Sequence, residues 1–262
     1  MRKPAYIELS REDRIPILYE DRAVLAIDKA AGWMLVPGSW QKTGRNLQAA
    51  LLSSIAAGHF WARSRDLKFL RYIHRLDAET SGILLFAKSR GALNAYGDLF
   101  ETRSMEKIYL AVTDRPPKQT AWSCRLSLAP DPKKIGRMVV SQQGKDAETE
   151  FRLVSSVEGK HLIEGRPFTG RTHQIRVHLA AAGHSVVGDE LYGTGEPAPL
   201  GLRAVGLAYR DPFTRKPVAI RAPLEAFLSH WGFSPDAYRT AFHSIPPRKG
   251  DKPGAASVAG DK

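Results

Sequence analysis

The chain passes from a polar loop into an apolar strand along Arg71-Tyr72-Ile73-His74-Arg75-Leu76-Asp77-Ala78-Glu79-Thr80-Ser81-Gly82-Ile83-Leu84-Leu85-Phe86-Ala87. The run after Gly82 has the length and composition of a buried strand. Asp77 stands among basic side chains of the same loop, and neighbouring cations favour the charged form of a carboxylate. A charged carboxylate beside a rigid strand can be a nucleophile, a general base or a metal ligand. The same pattern is also typical of a turn Asp paired with an Arg.

The overall composition favours one sizeable folded body and a polyanionic partner. The 262 residues suffice for a large core, and 43% apolar with 25% charged residues is ordinary for a globular protein. The formal net charge of +12 favours nucleic acid first and an anionic membrane surface second. One Cys excludes an intramolecular disulfide and a thiolate-rich zinc site. Because no long apolar run or signal-peptide pattern is present, we expect a cytoplasmic protein without membrane contact. We also expect a monomer.

Short apolar segments predict an α+β fold with a mixed, largely antiparallel central sheet flanked by helices. We expect residues 1–14 to form a polar extension over the surface and residues 15–243 to form the folded domain. Residues 244–262 are predicted to be a disordered basic tail. Hairpins are predicted around Asp21-Arg22 and Asp211-Pro212. The remaining predicted strands are 83–87, 105–113, one short strand within 122–128, 137–141, 148–154 and 161–166.

Capping residues and apolar periodicity predict four helices. They run from Asn46 to Gly58, from Ser89 to about Arg103, from the segment starting at Thr169 to Gly183, and over residues 224–231. On the third helix, His173 and Arg176 should share one face. The segment 60–68 mixes aromatic and basic side chains, which favours an exposed surface that meets phosphates and bases.

Three polar clusters are candidates for chemistry. They are the loop at Asp77, the strand face that carries Lys107 and Tyr109, and the basic segment 171–176. The histidines between residues 161 and 184 do not share one helical face, so they do not indicate a metal site. The chain has neither a Gly-x-Ser-x-Gly elbow nor a phosphate-binding Gly-x-x-x-x-Gly-Lys loop. No local motif therefore indicates a hydrolase or a nucleoside triphosphatase.

The segment from His74 to Lys88 resembles the signature of the RluA-type pseudouridine synthases. Three further motifs resemble that family in the same order: residues 17–32 its N-terminal hairpin and Lys-Pro-x-Gly turn, residues 107–111 its Lys-x-Tyr-x-Ala strand, and residues 170–178 with 188–193 its third motif. Together they cover roughly residues 15 to 230. A long signature with ordered motifs is a specific signal.

Two positions depart from the family pattern. Ala30 stands where the family usually has Pro, which loosens a turn without removing any chemistry. Arg203 stands where the family usually has His, so the family's contacts cannot be carried over there. Because the match begins near residue 15, we expect no S4-type RNA-binding domain before it.

The resemblance implies an isomerase that converts uridine in RNA to pseudouridine, with tRNA, 23S-type ribosomal RNA or both as substrate, and without metal or cofactor. The reaction breaks the N1–C1′ bond, turns the freed uracil and rejoins it through C5. The resemblance makes Asp77 the catalytic carboxylate, Arg176 its partner and Tyr109 the tyrosine that stacks on the uracil. It implies a flipped target base whose place Arg75 fills, and a basic RNA-binding cleft. The other residues expected to bind substrate are His74, Thr80, Lys107, Arg171, His173 and Gln174.

Two hypotheses from other classes remain open from the sequence. One is a catalytically idle RNA-binding protein, which is disfavoured because Asp77, Tyr109 and Arg176 are all present. The other is a metal-dependent phosphate-ester hydrolase that uses Asp77 and the histidines. A chelator test separates the hydrolase, because only that activity would be lost with the metal.

Overall fold

The computed structural model describes residues 2–10, 12–35, 45–193 and 197–239. The tail predicted for residues 244–262 therefore lies outside the described residues. The described strands are β1 (Tyr6–Glu8), β2 (Arg14–Glu20), β3 (Val24–Lys29), β4 (Arg71–Tyr72), β5 (Ser81–Ala87), β6 (Glu106–Thr113), β7 (Ala121–Arg125), β8 (Leu128–Pro130), β9 (Met138–Val140), β10 (Glu148–Val157), β11 (Lys160–Pro167), β12 (Leu202–Arg210) and β13 (Pro217–Arg221). The described helices are α1 (Leu47–Ala56), α2 (Phe60–Arg63), α3 (Arg90–Glu101), α4 (Gln174–Ala181), α5 (Glu225–His230) and α6 (Asp236–Arg239).

Eleven strands form one mixed sheet, which confirms the predicted α+β class. Nine of them follow the order β1-β2-β3-β5-β12-β6-β11-β10-β7, while β13 pairs with β12 and β4 with β5. The β5–β12 pairing is parallel, and the other pairings in the sheet are antiparallel. Both predicted hairpins are confirmed as β2–β3 and β12–β13. Strands β8 and β9 form a separate two-stranded sheet.

The parallel pairing depends on Gly82 of the signature segment. Gly82 has φ +112°, and a Cβ on it would lie 2.1 Å from the carbonyl oxygen of Ala204. Only glycine permits both this backbone conformation and this approach. Strand β12 therefore packs directly against the start of β5, where the loop that carries Asp77 ends.

A buried lysine fixes the same loop from its other side. Lys29 is fully buried, and its Nζ donates to the carbonyl oxygens of Ala30, Trp33 and Ala78 at 3.1, 2.9 and 2.8 Å. Burial lowers the pKa of Lys29 to about 8. Since Ala78 follows Asp77 directly, Lys29 holds the loop in place and also ties down the turn in which Ala30 replaces the family's Pro.

Strand β6 separates the core from the candidate site. Its Ile108, Leu110 and Val112 are buried in one cluster with Leu228 of α5 and Trp231, which follows α5. The alternate side chains, Lys107 and Tyr109 among them, point to the opposite face, as the sequence predicts.

Two predicted helix starts are confirmed by their capping hydrogen bonds. Asn46 Oδ1 accepts from the N–H of Ala49 at 3.0 Å, and Ser89 Oγ accepts from the N–H of Ala92 at 3.1 Å. Helix α3 buries Tyr96 completely, in agreement with its predicted apolar stripe. Among the described helices, none is long and apolar enough to cross a membrane.

Three expectations about the surface and the strands are wrong. Residues 1–14 do not simply run over the surface, because β1 joins the sheet edge and Ile7 is fully buried. The segment 60–68 is not a free surface, because Trp61 is buried in the same cluster as Ile7 and donates to Ser54 Oγ at 2.7 Å. The one strand expected within 122–128 is two, β7 and β8, which belong to different sheets.

Arg203, the second departure from the family pattern, makes its own set of contacts. Its Nη2 donates to Asp28 Oδ2 at 2.7 Å, and Nε and Nη2 donate to the carbonyl oxygen of Pro223. The guanidinium thus joins β3, β12 and the segment after β13.

Candidate active site

An open cleft of about 420 Å³ lies between the loop after β4 and the segment between β11 and α4. Tyr109 of β6 and Leu202 of β12 contribute to its lining. All ten predicted site residues line this cleft, although they come from three separate segments of the chain: His74, Arg75, Asp77, Thr80, Lys107, Tyr109, Arg171, His173, Gln174 and Arg176.

The centre of the cleft is an ion pair between Asp77 and Arg176. Arg176 Nη1 donates to Asp77 Oδ2 at 3.1 Å, across 99 positions of sequence. The side chain of Asp77 is 15% exposed and that of Arg176 only 4%. The described residues provide no hydrogen bond to Asp77 Oδ1, so the arginine holds one carboxylate oxygen and leaves the other without a hydrogen bond from them.

Asp189 completes this arrangement, and the sequence analysis gave it no role. Arg176 Nε donates to Asp189 Oδ2 and Nη2 to Asp189 Oδ1, both at 2.7 Å. The Asp189 side chain is fully buried. Its Oδ1 also accepts from the N–H groups of Leu191 and Tyr192. A bidentate pair of this kind fixes the plane of the guanidinium, and so fixes the direction in which Nη1 reaches Asp77.

The electrostatics of this pair favour two charged partners. Burial alone would raise the pKa of Asp189, but the hydrogen bonds and charge of Arg176 outweigh it and hold that pKa below its ordinary value. Burial likewise works against the charge on Arg176, but the bonds and charges of Asp189 and Asp77 raise its pKa. Arg176 therefore carries a fixed positive charge behind the carboxylate.

Tyr109 lies beside Asp77 and is held in its neutral form. Burial raises the pKa of the Tyr109 phenol, and the negative charge of Asp77 raises it further. At neutral pH its hydroxyl is therefore a hydrogen-bond donor rather than a base. The half-buried ring also packs against two of the core clusters, which fixes its position in the cleft.

His173 reaches Asp77 in a different way from the one expected. Helix α4 starts at Gln174, so His173 is not within the helix but precedes it, with a left-handed φ of 55°. Its Nε2 lies 3.8 Å from Asp77 Oδ2, and its Nδ1 lies 2.8 Å from the hydroxyl of Tyr192. Burial lowers the pKa of His173, which the charge of Asp77 partly offsets. The prediction of a shared helical face is wrong, although His173 and Arg176 both approach Asp77.

His74 is held by the protein on the wall of the cleft. Its Nε2 accepts from the N–H of Leu85 at 3.1 Å, and its ring stacks on Phe100 with centroids 4.8 Å apart. Burial and the charge of Lys107 lower the pKa of His74 to about 3, so the ring is neutral at physiological pH. These contacts brace the loop against β5.

Gln174 and Thr80 are also committed to internal contacts. Gln174 Oε1 accepts from Thr169 Oγ1 and from the N–H of Arg171, while its Nε2 donates to Glu148 O and Thr149 Oγ1. Thr80 is 2% exposed, and its N–H donates to the Asp77 carbonyl oxygen. Both residues therefore support the shape of the cleft through contacts within the protein.

The basic residues on the cleft wall differ in how firmly they are held. Lys107 Nζ donates to the carbonyl oxygen of Thr169 at 2.9 Å, and Arg171 Nε donates to that of Asp146 at 2.9 Å. Arg75 is exposed, and no described residue forms a hydrogen bond or ion pair with its guanidinium. The described residues contain no group of three or more His, Cys, Asp or Glu side chains placed to hold a metal ion.

Together these features define a class of protein. A basic chain with an oriented carboxylate, a neutral tyrosine and cations around one open cleft is suited to chemistry on a polyanionic substrate. The chain belongs to the RNA pseudouridylate synthase family, whose model matches residues 24–181. It is thus an RNA pseudouridine synthase, an isomerase that modifies RNA.

Two curated relatives are similar over most of the chain. The protein from Yersinia pestis named ribosomal large subunit pseudouridine synthase C is 36% identical over 230 residues, which span 82% of this chain and 67% of the relative. The protein of the same name from Escherichia coli strain K12 is 34% identical over 225 residues, which span 81% and 67%.

Two solved human structures have the same fold. RNA Pseudouridylate Synthase Domain Containing 1 superposes with a TM-score of 0.68 at 23% identity, over 92% of this chain and 99% of its own. RNA Pseudouridylate Synthase Domain Containing 4 superposes with a TM-score of 0.66 at 22% identity, over 88% and 94%. The mixed sheet is therefore the fold of pseudouridine synthase domains.

Proposed function

We propose that this enzyme isomerises specific uridines in structured RNA, with 23S-type ribosomal RNA, tRNA or both as substrate, and that Asp77 is the catalytic carboxylate. The observation that carries the proposal is the 3.1 Å contact between Arg176 Nη1 and Asp77 Oδ2 in a cleft that also contains Tyr109. Ribosomal RNA is the first candidate, because curated relatives at 36% and 34% identity are named for the ribosomal large subunit. The net charge of +12 suits either RNA.

Asp77 acts through its free oxygen. Since Oδ2 is held by Arg176 and faces His173, Oδ1 is the atom that can reach the target nucleotide. A carboxylate at the sugar–base junction can attack C1′, add to the base, or stabilise an oxocarbenium-like species while the N1–C1′ bond breaks. Arg176 orients the carboxylate for any of these routes.

Tyr109 supplies a flat ring and a neutral hydroxyl group that can donate a hydrogen bond. The raised pKa makes its hydroxyl a donor at neutral pH, so it can hydrogen-bond to the uracil or protect the freed base from solvent. The ring face offers stacking to the uracil while the base turns to present C5.

The target base must leave its stack before it can enter the cleft. Arg75 is the candidate to fill the vacated place, because it is exposed on the cleft wall two residues before Asp77. Lys107 and Arg171 are placed to contact phosphates, while His74, Thr80, His173 and Gln174 shape or orient the site. The catalytic domain then includes β1, which lies before the predicted boundary at residue 15 and joins the same sheet.

The substrate is tested by mapping pseudouridine in total RNA from cells with and without this protein. We expect one or a few uridines in large-subunit ribosomal RNA or tRNA to lose the modification without the protein and regain it with wild type. An Asp77→Asn protein should fail to restore it. Unchanged maps in both RNA classes would refute the proposed substrates.

Tyr109→Phe should reduce turnover about tenfold or more while changing RNA affinity less than threefold, because Phe keeps the stacking face and loses only the donor. Single-turnover rates at saturating RNA, together with dissociation constants, separate the two effects. Tyr72→Phe is the matched control, a half-buried tyrosine of β4 that does not line the cleft. A rate equal to wild type for Tyr109→Phe would leave Tyr109 as a stacking platform only.

Arg75→Ala should impair a structured RNA more than a short single-stranded RNA with the same target uridine. Flipping a stacked base costs a few kcal/mol, and least when the base is already unpaired. A guanidinium offsets part of that cost by stacking on neighbouring bases. We expect the loss on structured RNA to exceed the loss on single strands by about fivefold, which is about 1 kcal/mol.

The control for this comparison is Arg71→Ala, which removes an exposed arginine of β4 outside the cleft. If Arg75 only braced the loop through Glu79 or Asp77, Arg75→Ala would lower activity equally on both RNAs and reduce thermal stability. Equal losses on the two substrates would contradict the flipping role.

A further inference from the structure

A small hairpin beside the main sheet carries an exposed basic tip. Strands β8 and β9 pair with each other, and their connection spans residues 131–137. Lys133 and Lys134 are exposed at this tip, and Ile135 next to them is completely exposed. The proposed roles of the cleft residues do not involve this hairpin.

The hairpin is attached to the wall of the cleft. Leu128 of β8 packs in one cluster with Ala147 and with Val177 of α4. The hydroxyl of Ser127 donates to Asp146 Oδ1, and the carbonyl oxygen of Asp146 accepts from Arg171 in the cleft lining. The hairpin therefore stands next to the segment that carries Arg171, His173 and Arg176.

Tyr192 forms a second and closer connection between the hairpin and the site. Its hydroxyl oxygen accepts from the N–H of Met138 in β9 at 2.8 Å. The guanidinium of Arg137, from the hairpin, lies 5.6 Å from the ring centroid, and that of Arg176, from the site, lies 5.3 Å from it. Both distances allow cation–π attraction. One aromatic ring thus contacts an arginine of the hairpin and the arginine that holds Asp77.

The Tyr192 hydroxyl also favours one tautomer of His173. Because its oxygen accepts the Met138 N–H, its own proton is available for His173 Nδ1, 2.8 Å away. A neutral His173 that accepts at Nδ1 carries its proton on Nε2, which faces Asp77 Oδ2 at 3.8 Å. A continuous series of contacts therefore runs from the hairpin backbone through Tyr192 and His173 to the carboxylate.

We propose that the hairpin tip binds the RNA phosphate backbone outside the target nucleotide, and that Tyr192 is a positioning residue that couples this contact to Asp77. The inference rests on the proposed function of the cleft. Lys133 and Lys134 match phosphates in charge, and the exposed Ile135 can pack on a sugar or base edge. Movement of β9 on binding shifts Met138 and Arg137, and Tyr192 passes that shift to His173 and Arg176.

The test is a double-mutant cycle with single-turnover rates at saturating RNA and separate dissociation constants. In the wild-type background, the double change Lys133→Ala and Lys134→Ala should weaken binding and also lower the saturated rate constant by about threefold. Tyr192→Phe alone should lower that rate constant by about tenfold, because it removes the hydroxyl and keeps the ring. In the Tyr192→Phe background, the lysine changes should weaken binding without any further fall in the saturated rate.

Controls separate coupling from general damage. The double change Lys118→Ala and Lys216→Ala removes two exposed lysines outside the cleft lining and should leave the saturated rate unchanged. Equal melting temperatures for wild type and Tyr192→Phe show that the fold is retained. If Tyr192→Phe melts lower, the comparison of the two backgrounds is made below its transition, where both proteins are folded.

Two outcomes would overturn the coupling. One is that the hairpin lysines affect only the dissociation constant in wild type, and the other is that they lower the saturated rate equally in both backgrounds. Wild-type conversion of uridine to pseudouridine is the baseline of every measurement. Failure of that baseline would refute the proposed substrate, whereas a sound baseline without coupling refutes only the role of Tyr192.

Discussion

Asp77→Asn should reduce pseudouridine formation by a factor on the order of a thousand or more, because the amide keeps the size of the side chain and loses the charge that the reaction requires. The fold should persist. Arg176 remains paired with Asp189 through two 2.7 Å hydrogen bonds, so the substitution leaves no buried charge without a partner. RNA affinity should change little, since phosphate contacts supply most of it. Single-turnover assays with excess enzyme, together with binding curves, measure both quantities.

The matched control is Glu79→Gln, which removes a carboxylate from the same loop. Glu79 is exposed and does not line the cleft, so its loss tests whether any charge in this loop matters. We expect Glu79→Gln to keep nearly full activity. If Asp77→Asn retained activity within about tenfold of wild type, a barrier change below 1.4 kcal/mol, Asp77 would not be the catalytic carboxylate.

The cleft was predictable from sequence because its residues belong to recognisable local patterns. The loop at Asp77 runs into a buried strand, and the alternation of β6 places Lys107 and Tyr109 on one face. The resemblance to a family with ordered motifs then joined segments that no periodicity connects, such as Asp77 and Arg176. All ten predicted residues line one cleft, yet their individual roles stay predictions.

Several features could not be read from local pattern because tertiary contacts decide them. The role of Asp189 depends on the path of the turn after α4, which brings a carboxylate back to Arg176 thirteen positions away. The only signal was its place in the segment 188–193, which resembles a family motif without a stated function. Trp61 looked exposed beside basic residues, but strand β1 covers it, and β1 itself is too short to recognise by alternation. His173 lies outside the helix because its own backbone is left-handed, directly before α4 begins.

The role of Asp189 leads to the second large effect, that of Asp189→Asn. An amide nitrogen in place of Oδ2 would face the N–H of Arg176 Nε, so at least one of the two hydrogen bonds is lost. Removing one partner of a buried ion pair typically costs about 3 kcal/mol or more of the free energy of unfolding. Arg176 would then no longer be held in one plane, and the saturated rate should fall about a hundredfold even where the protein is folded. Urea unfolding and single-turnover rates at low temperature measure the two effects separately.

Asp28→Asn is the matched control, because it breaks the 2.7 Å pair with Arg203 outside the cleft. It should lower stability and leave the saturated rate unchanged. The pH dependence gives an independent check of Asp189. Since its folded-state pKa lies below the ordinary value, its ionised form stabilises the fold above about pH 4, and that contribution is lost as the pH falls through the folded-state pKa. Asp189→Asn should therefore lose less stability on acidification than wild type does. If Asp189→Asn lowered the free energy of unfolding but kept the wild-type rate, Asp77 alone would be sufficient to orient Arg176. The buried carboxylate of Asp189 would then serve the fold rather than the reaction.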